Sequence, residues 1–337
     1  METMVPLQSR SIRRLLISLP LLAASAVLMQ PVAAHAGYPD KPIKLLIGFP
    51  PGGSTDLIGR LVGERLYKAL GQPVVIENHG GANGVVAANA VAAAAPDGYT
   101  LLLTSMGMTT NPYLYTKSAR DPVKDFTPIS LLANVPNVIV VNPKLPARNL
   151  DELMHLARSH KTPLTSATTG QAAPGHLATE LLQRAANVRF SFVPYKGSGP
   201  ALNDVMAGYV DMSLPTIVAA LPAIRSGKVR AIAVTGTGRS SMLPDVPTLS
   251  EAGLKDLGGT SGWYGLIGPA KMPREVVERL SQAVVKIMNS ADVRERFQAN
   301  GADPVGSNSD EMAAFVAQDY RRWGELIRAA NIKAEGQ

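Results

Sequence analysis

The chain contains no cysteine, which excludes disulfide bridges, thiolate zinc sites, iron–sulfur clusters and cysteine nucleophiles. Charged residues make up only 18% of its 337 residues, and the net charge of +7 is spread along the chain without a block of five or six like charges. Nucleic acid is therefore not an expected partner. Hydrophobic residues make up 46%, which is ample for buried cores and predicts a globular protein.

Common catalytic and cofactor motifs are also missing. The sequence has no G-x-S-x-G nucleophile elbow, no G-x-x-x-x-G-K-[ST] phosphate loop and no H-E-x-x-H metal motif, and the GGANG segment at 80–84 lacks dinucleotide-binding spacing. We therefore expect no cofactor and no metal. Because a catalytic triad can assemble from distant residues, a secreted α/β-fold hydrolase remains the alternative to a binding protein.

The first 36 residues have the pattern of a secretory signal peptide. A basic segment at 10–14 precedes an apolar stretch at 15–29 and an A-x-A cleavage motif at 34–36. The mature chain is expected to begin at Gly37 and to reside in the periplasm. Paired arginines before the apolar stretch leave twin-arginine export open beside the general secretory route.

The segment after the predicted signal peptide alternates between strands and helices. Short apolar runs at 42–47, 74–76 and 100–103 predict three strands, with helices after the first two. Strands joined by helices form parallel sheets, and ligands bind such sheets at the carboxyl ends of the strands. Gly, Ser and Thr follow these strands, so this edge is the first place to expect a site.

The middle of the chain also alternates between strands and helices, and the end is predicted to be mainly helical. Further strands are predicted at 138–141, 164–167, 190–193, 212–214 and 231–235, with helices at 149–160, 201–207 and 217–226. Beyond Trp263 the apolar spacing predicts helices at 275–288 and 311–327. Two α/β lobes of similar size predict a ligand cleft between them.

Eight short motifs occur in an order that resembles a known family. They are YPDKPI at 38–43, FPPGGSTD at 49–56, LGQPVVIEN at 70–78, DGYTLL at 97–102, GHL at 175–177, VPYKG at 193–197, GKVRA at 227–231 and LPDVPT at 243–248. Together they resemble the Bug family, the periplasmic solute receptors of tripartite tricarboxylate transporters. The resemblance covers essentially the whole chain after residue 36.

The resemblance implies an architecture and a set of partners. The fold would be an α/β, two-lobe periplasmic binding protein of type II, with one lobe at 38–137 plus 260–337 and the other at 138–259. The ligand would be a small organic carboxylate, captured in the cleft between the lobes. A membrane permease of the tripartite tricarboxylate type, or a signalling partner, would receive the loaded protein, which is expected to be a monomer.

Candidate ligand-binding residues lie in the loops that follow the strands. Backbone N–H groups at the helix start after Gly52 suit a carboxylate, and hydroxyl groups from the other loops would add donors. None of these loops supplies an arginine clamp. The candidates are Phe49, Gly52, Gly53, Ser54, Asp56, Asn83, Gly84, Ser105, Met106, Thr168, Thr169, Gly170, His176, Lys196 and Thr216.

Several candidates also have a purely structural interpretation. Asp56 would repel a carboxylate, so a role in shaping the loop is favoured over ligand contact. His176 is at a helix start, where a structural role is more common, and Lys196 could equally be a solvated surface residue. Phe49 and Trp263 could line an apolar wall with Tyr195, although core packing is the usual role of aromatic side chains.

The identity of the carboxylate does not follow from the sequence. Dicarboxylates, tricarboxylates, acidic or amidated amino acids and aromatic carboxylates all fit capture by backbone loops. Asn83, Met106 and Met108 indicate a partly apolar pocket.

Overall fold

The computed structural model describes residues 37–52, 54–168, 173–195, 197–236, 238–257, 261–330 and 332, with Ser54, Asp256 and Ala330 described by their backbone alone. The predicted signal peptide at 1–36 lies outside the described residues. All elements below belong to the unit Pro39–Gln337. No described helix combines the length and hydrophobicity that a membrane span requires.

The first of two sheets is built from strands that come both before and after the middle of the chain. Its strands are β1 (Ile43–Ile47), β2 (Val74–Asn78), β3 (Thr100–Ser105), β4 (Phe126–Val135), β10 (Gly262–Pro269) and β11 (Asp303–Pro304), in the spatial order β11-β4-β10-β3-β1-β2. Strand β1 pairs in parallel with both β2 and β3, which confirms the predicted parallel arrangement. Strand β10 runs antiparallel to β3 and β4.

The second sheet comes from the middle of the chain. Its strands are β5 (Val138–Val141), β6 (Leu164–Thr168), β7 (Phe190–Pro194), β8 (Met212–Ser213) and β9 (Arg230–Val234), in the order β7-β6-β8-β5-β9. Strand β6 is parallel to β7 and β8, and β5 is antiparallel to β8 and β9. The chain therefore has the two-lobe α/β fold that its sequence predicts.

Helices connect the strands of both sheets. They are α1 (Ser54–Leu70), α2 (Val85–Ala92), α3 (Gly107–Leu114), α4 (Leu150–Ser159), α5 (Pro174–Ala185), α6 (Ser198–Ala207), α7 (Ile217–Arg225), α8 (Arg274–Met288), α9 (Ala291–Ala299) and α10 (Ser309–Ala330), with 3-10 turns at Ala82–Gly84 and Lys255–Leu257. In α8, Val276, Leu280 and Val284 are buried at helical spacing, as predicted.

The prediction of a mainly helical end is confirmed by α8, α9 and α10, whereas strand β10 is an element that the sequence does not predict. Every residue of Gly262–Pro269 is buried, and the strand lies between β3 and β4 in the first sheet. A strand that is covered on both faces does not alternate between polar and apolar side chains, so its sequence pattern cannot be told from that of a buried helix. Strand β4 is also mostly buried, so its sequence does not predict a strand either.

The chain passes between the sheets twice, and the two passages lie side by side. Asn137 N donates to Thr235 Oγ1 at 3.0 Å, and Thr235 N donates to Asn137 O at 2.9 Å. The end of β4 also pairs with the start of β10, with Val135 opposite Gly262 and Asn134 opposite Trp263. We call these paired ends, residues 134–136 and 261–263, the crossing ribbon.

Candidate functional site

A cavity of about 690 Å³ lies at the carboxyl ends of strands from both sheets, and we call it the front cavity. Its described lining residues are Phe49, Pro50, Pro51, Gly52, Thr55, Asn83, Ser105, Met106, Gly107, Tyr115, Val135, Ala173, Pro174, Gly197, Ser198, Thr216, Gly262, Trp263 and Tyr264. The volume falls within the range of small-molecule pockets, about 300–1,000 Å³.

The loop after β1 is held by a buried carboxylate. Asp56 is 4% exposed; its Oδ2 accepts hydrogen bonds from Gly52 N at 3.0 Å and Arg60 Nε at 2.9 Å, and its Oδ1 accepts one from Asn78 Nδ2 at 3.0 Å. The Arg60 hydrogen bond is the main cause that lowers the pKa of Asp56 to about 2. These contacts shape the loop around Gly52, and Asp56 is not among the described residues that line the front cavity.

The loop before α2 has an unusual backbone that a pair of asparagines stabilises. Asn83 and Gly84 have positive φ angles of 53° and 92°. Asn83 Nδ2 donates to Asn111 Oδ1 at 2.9 Å, and Asn111 Nδ2 donates to Asn83 O at 3.0 Å. A Cβ atom at Gly107 would lie 2.8 Å from Asn83 O, so only glycine allows α3 to start this close to the turn.

The loop after β3 is connected to the C-terminal helix. Asp319 on α10 is 8% exposed, and its Oδ2 accepts hydrogen bonds from Thr109 Oγ1 at 2.7 Å and from Trp263 Nε1 at 2.9 Å. Burial raises the pKa of Asp319. Trp263 also packs edge-on against Phe315 on α10, with ring centroids 5.3 Å apart. One carboxylate thus connects α3, which begins two residues after Ser105, to Trp263 in the wall of the front cavity.

Six of the predicted site residues line the front cavity: Phe49, Gly52, Asn83, Ser105, Met106 and Thr216. Gly84 instead lines a recess of about 20 Å³ behind them, large enough for one water molecule. Gly53, Thr169, Gly170 and Lys196 lie outside the described residues, as does the Ser54 side chain.

Two predicted site residues from the second lobe, Thr168 and His176, are not among the described residues that line the front cavity. Thr168 ends β6, is 5% exposed and does not belong to the described cavity lining. His176 lies on α5 with its ring edge-on to Phe192 at 4.9 Å and its Nε2 at 3.8 Å from Glu180 Oε1. Burial lowers the pKa of His176. Of the three aromatic side chains considered, Phe49 and Trp263 line the cavity, whereas the Tyr195 hydroxyl donates to Asp204.

Several helices begin at the wall of the front cavity. Their first residues or N-caps are Thr55 in the first turn of α1, Gly107 of α3, Pro174 of α5, Ser198 of α6 and Thr216 before α7. Each helix N-terminus carries roughly half a positive charge through its unpaired N–H groups. None of the described lining residues has a charged side chain. The cavity therefore offers neutral donors that suit an anion.

Sequence reasoning missed several of the residues that build this site. Tyr115 and Asn111 belong to or follow α3, for which no helix is predicted, so no signal points to them. Gly107 follows β3, and the rule that ligands bind at strand ends does point to it. Ser198 follows a predicted strand and Gly197, and the rule that ligands bind at strand ends could have found it. Among the described residues, no group of three or more histidine, aspartate or glutamate side chains lies close enough to hold a metal ion.

Comparisons with known proteins agree with this architecture. Residues 58–332 match the model of the tripartite tricarboxylate transporter family receptor. Protein BugT of Bordetella pertussis is 36% identical over 326 residues, which cover 95% of this chain and 98% of that protein.

Two solved structures share the fold at substantial identity. Periplasmic binding protein BugD is 34% identical, with a TM-score of 0.77 over 88% of this chain and all of its own chain (100%). MatC from Rhodopseudomonas palustris, solved with bound malate, is 36% identical, with a TM-score of 0.75 over 86% of this chain and 100% of its own. The family match covers most of the chain, and with the BugT similarity it leads to one assignment: the protein belongs to the tripartite tricarboxylate transporter receptor family.

Proposed function

We propose that this protein is a periplasmic receptor that captures a small organic carboxylate in the front cavity. The observation that carries the proposal is the set of five helix starts around a cavity whose described lining has no charged side chain. Helix N-termini stabilise anions through N–H groups that are already oriented. Membership of a receptor family that includes a malate-bound protein supports the same ligand class.

The chemistry of the lining suits capture followed by release. Backbone N–H groups and the hydroxyls of Thr55, Ser105, Ser198 and Thr216 can donate to a carboxylate without introducing a fixed cation. A buried arginine–carboxylate pair is stronger than hydrogen bonds from neutral donors. Separating the pair also leaves an uncompensated buried charge, which slows release of the ligand. Neutral donors therefore fit a protein that must deliver its ligand.

Closure of the two lobes would complete the site. Thr55 and Ser105 belong to the first sheet's side of the cavity, and Ser198 and Thr216 to the second sheet's side. Rotation about the two chain crossings would bring these groups to one ligand, as in hinge closure of other binding proteins. The strand membership of the sheets supports lobe boundaries at 38–137 plus 260–337 and at 138–259.

Delivery requires a partner, which we propose to be a membrane permease of the tripartite tricarboxylate type; a signalling partner would use the same closed form. The pattern at 1–36 supports export to the periplasm and cleavage before Gly37. We further propose that the protein acts as a monomer and performs no catalysis. The described lining contains no histidine, aspartate, glutamate or lysine that could serve as a general base.

The test is a titration of residues 37–337 with organic carboxylates and with their uncharged amides. A ligand at 100 times its dissociation constant stabilises the protein by about 2.7 kcal/mol, which a thermal-shift assay detects before calorimetry measures the affinity. We expect binding of carboxylates only, with each ligand intact by NMR after incubation. Binding of the amides alone would reject the carboxylate site, and conversion of the ligand would indicate an enzyme.

A further inference from the structure

A second cavity, of about 540 Å³, lies beside the crossing ribbon, and we call it the rear cavity. Its described lining residues are Asn134, Pro136, Gly236, Gly238, Arg239, Ser241, Ser261, Trp263, Gln298, Asp303, Phe315, Gln318, Asp319 and Arg322. Apart from Trp263, which reaches both cavities, none of these residues lines the front cavity.

The crossing ribbon separates the two cavities. Val135 and Gly262 are paired across the ribbon and line the front cavity, whereas the adjacent pair, Asn134 and Trp263, lines the rear cavity. Successive residues of a strand point to opposite faces. The front and rear cavities therefore lie on opposite faces of the ribbon through which the two lobes are joined.

Both lobes contribute walls to the rear cavity as well. Residues 238–241 follow β9 of the second sheet, whereas Gln318 and Asp319 lie on α10, which packs against β4 of the first sheet. When two bodies rotate about a connection between two clefts, one cleft narrows as the other widens. The inference rests on the lobe closure proposed above: a rotation that closes the front cavity widens the rear cavity, and opening narrows it.

We propose that the rear cavity controls the closure equilibrium of the front cavity, so that a group filling the rear cavity favours the front-closed form. Packed interiors resist overlap, so an inserted side chain opposes the narrowing that opening requires. Ser241 and Gln318 are suited to this test because both are exposed and they belong to opposite walls of the rear cavity. Neither residue lines the front cavity.

The experiment measures the distance between the lobes without any ligand. The chain has no cysteine, so Leu57→Cys and Gly199→Cys provide the only two spin-label sites. Both positions are exposed and lie in the first turns of α1 and α6, which begin on opposite sides of the front cavity; a Cβ atom at Gly199 meets no neighbour within 4 Å. Pulsed electron-spin resonance then reports the distribution of distances across the front cavity.

Ser241→Trp and Gln318→Trp are each introduced into the doubly labelled protein. We expect either substitution to raise the short-distance population about fivefold or more. The baseline for this change is the population of a minor conformation, which is typically about 0.1–10%. Ser226→Trp is the matched control, since Ser226 is an exposed turn serine that lines neither cavity. It should leave the distribution unchanged.

Two substitutions on opposite walls protect the test against a local folding defect in one of them, and thermal unfolding of each variant checks that it is folded. An unchanged distribution in both folded variants would overturn the proposal, as would a shift to longer distances. Because no carboxylate is added, failure of the proposed ligand class would leave this result unaffected.

Discussion

The front and rear cavities share one ribbon but differ in their charges. No charged side chain is among the described residues of the front cavity, whereas the rear cavity contains Arg239, Asp303, Asp319 and Arg322. Two of these four charges have the following protein partners: Arg239 pairs with Glu251 at 2.9 Å, and Asp319 accepts hydrogen bonds from Thr109 and Trp263. The difference indicates that charged side chains in the rear cavity stabilise the fold, whereas the charge in the front cavity would come from its ligand.

The largest expected effect comes from adding a negative charge to the front cavity with Ser105→Asp. Two like charges about 4 Å apart near a protein surface repel by about 4 kcal/mol, which corresponds to about a 1,000-fold loss of affinity. Calorimetric titration with the tightest carboxylate of the panel measures the loss. Ser105→Asn, which has nearly the same shape without the charge, should lose less than about tenfold. Equal losses in both variants would refute the electrostatic explanation.

Removing a charge from the rear side should affect stability. Asp319→Ala leaves the Trp263 indole N–H without its acceptor and the Thr109 hydroxyl with the Met106 carbonyl alone, which should cost about 2–3 kcal/mol in the free energy of unfolding. Urea denaturation measures this change. Asp319→Asn keeps an oxygen that can accept both bonds, so it should stay within about 1 kcal/mol of the parent protein.

The raised pKa of Asp319 gives this comparison a pH dependence. Its folded-state pKa lies above the ordinary value of 3.8, so the folded protein holds the proton more tightly than the unfolded chain does. The free energy of unfolding of the parent should therefore rise relative to that of Asp319→Asn as the pH falls through the raised pKa. A constant difference between the two proteins across this range would contradict the assignment.

Asp56 should show the opposite pH dependence because its pKa is lowered from 3.8 to about 2. Its stabilisation is complete above 3.8 and is lost as the pH falls toward 2, for a total of about 2 kcal/mol. Denaturation of the parent and of Asp56→Asn at several pH values measures the difference. The two stabilities should converge at low pH, and a gap that stays constant would show that Asp56 acts through packing alone.

The smallest effect concerns the backbone of the front loops. Gly84→Val and Gly71→Val both place a side chain at a positive φ, 92° and 77° respectively, so each should destabilise the fold by about 1–2 kcal/mol. Only Gly84 adjoins the site, where its Cβ would lie 3.9 Å from Phe49. Calorimetry should therefore show at least about a tenfold loss of carboxylate affinity for Gly84→Val and none for Gly71→Val.

The sequence predicts the strands that are short apolar runs bounded by turns, and it predicts less well the buried strands that lack this pattern. Strands β1, β2 and β3 are short apolar runs between glycine-rich turns, so both their positions and their parallel pairing could be inferred. Strand β10 is buried along its whole length and shows no polar–apolar alternation, so no element is predicted for its segment.

The same limit applies to the candidate site. Phe49, Gly52, Asn83, Ser105, Met106 and Thr216 follow strands or precede helices, and position along the chain was enough to select them. Asp319 is 210 residues from Thr109 in sequence, and Asn111 lies in a helix whose apolar pattern is weak. Neither residue is indicated by a local pattern, because its role depends on contacts that only the folded chain creates.

The most direct test of the central claim is a crystal structure of residues 37–337 with the tightest carboxylate of the panel. The carboxylate is expected in the front cavity, within hydrogen-bonding distance of backbone N–H groups or hydroxyls at the starts of α1, α3, α6 or α7. A carboxylate bound instead by Arg239 or Arg322 in the rear cavity would contradict the division of roles between the two cavities.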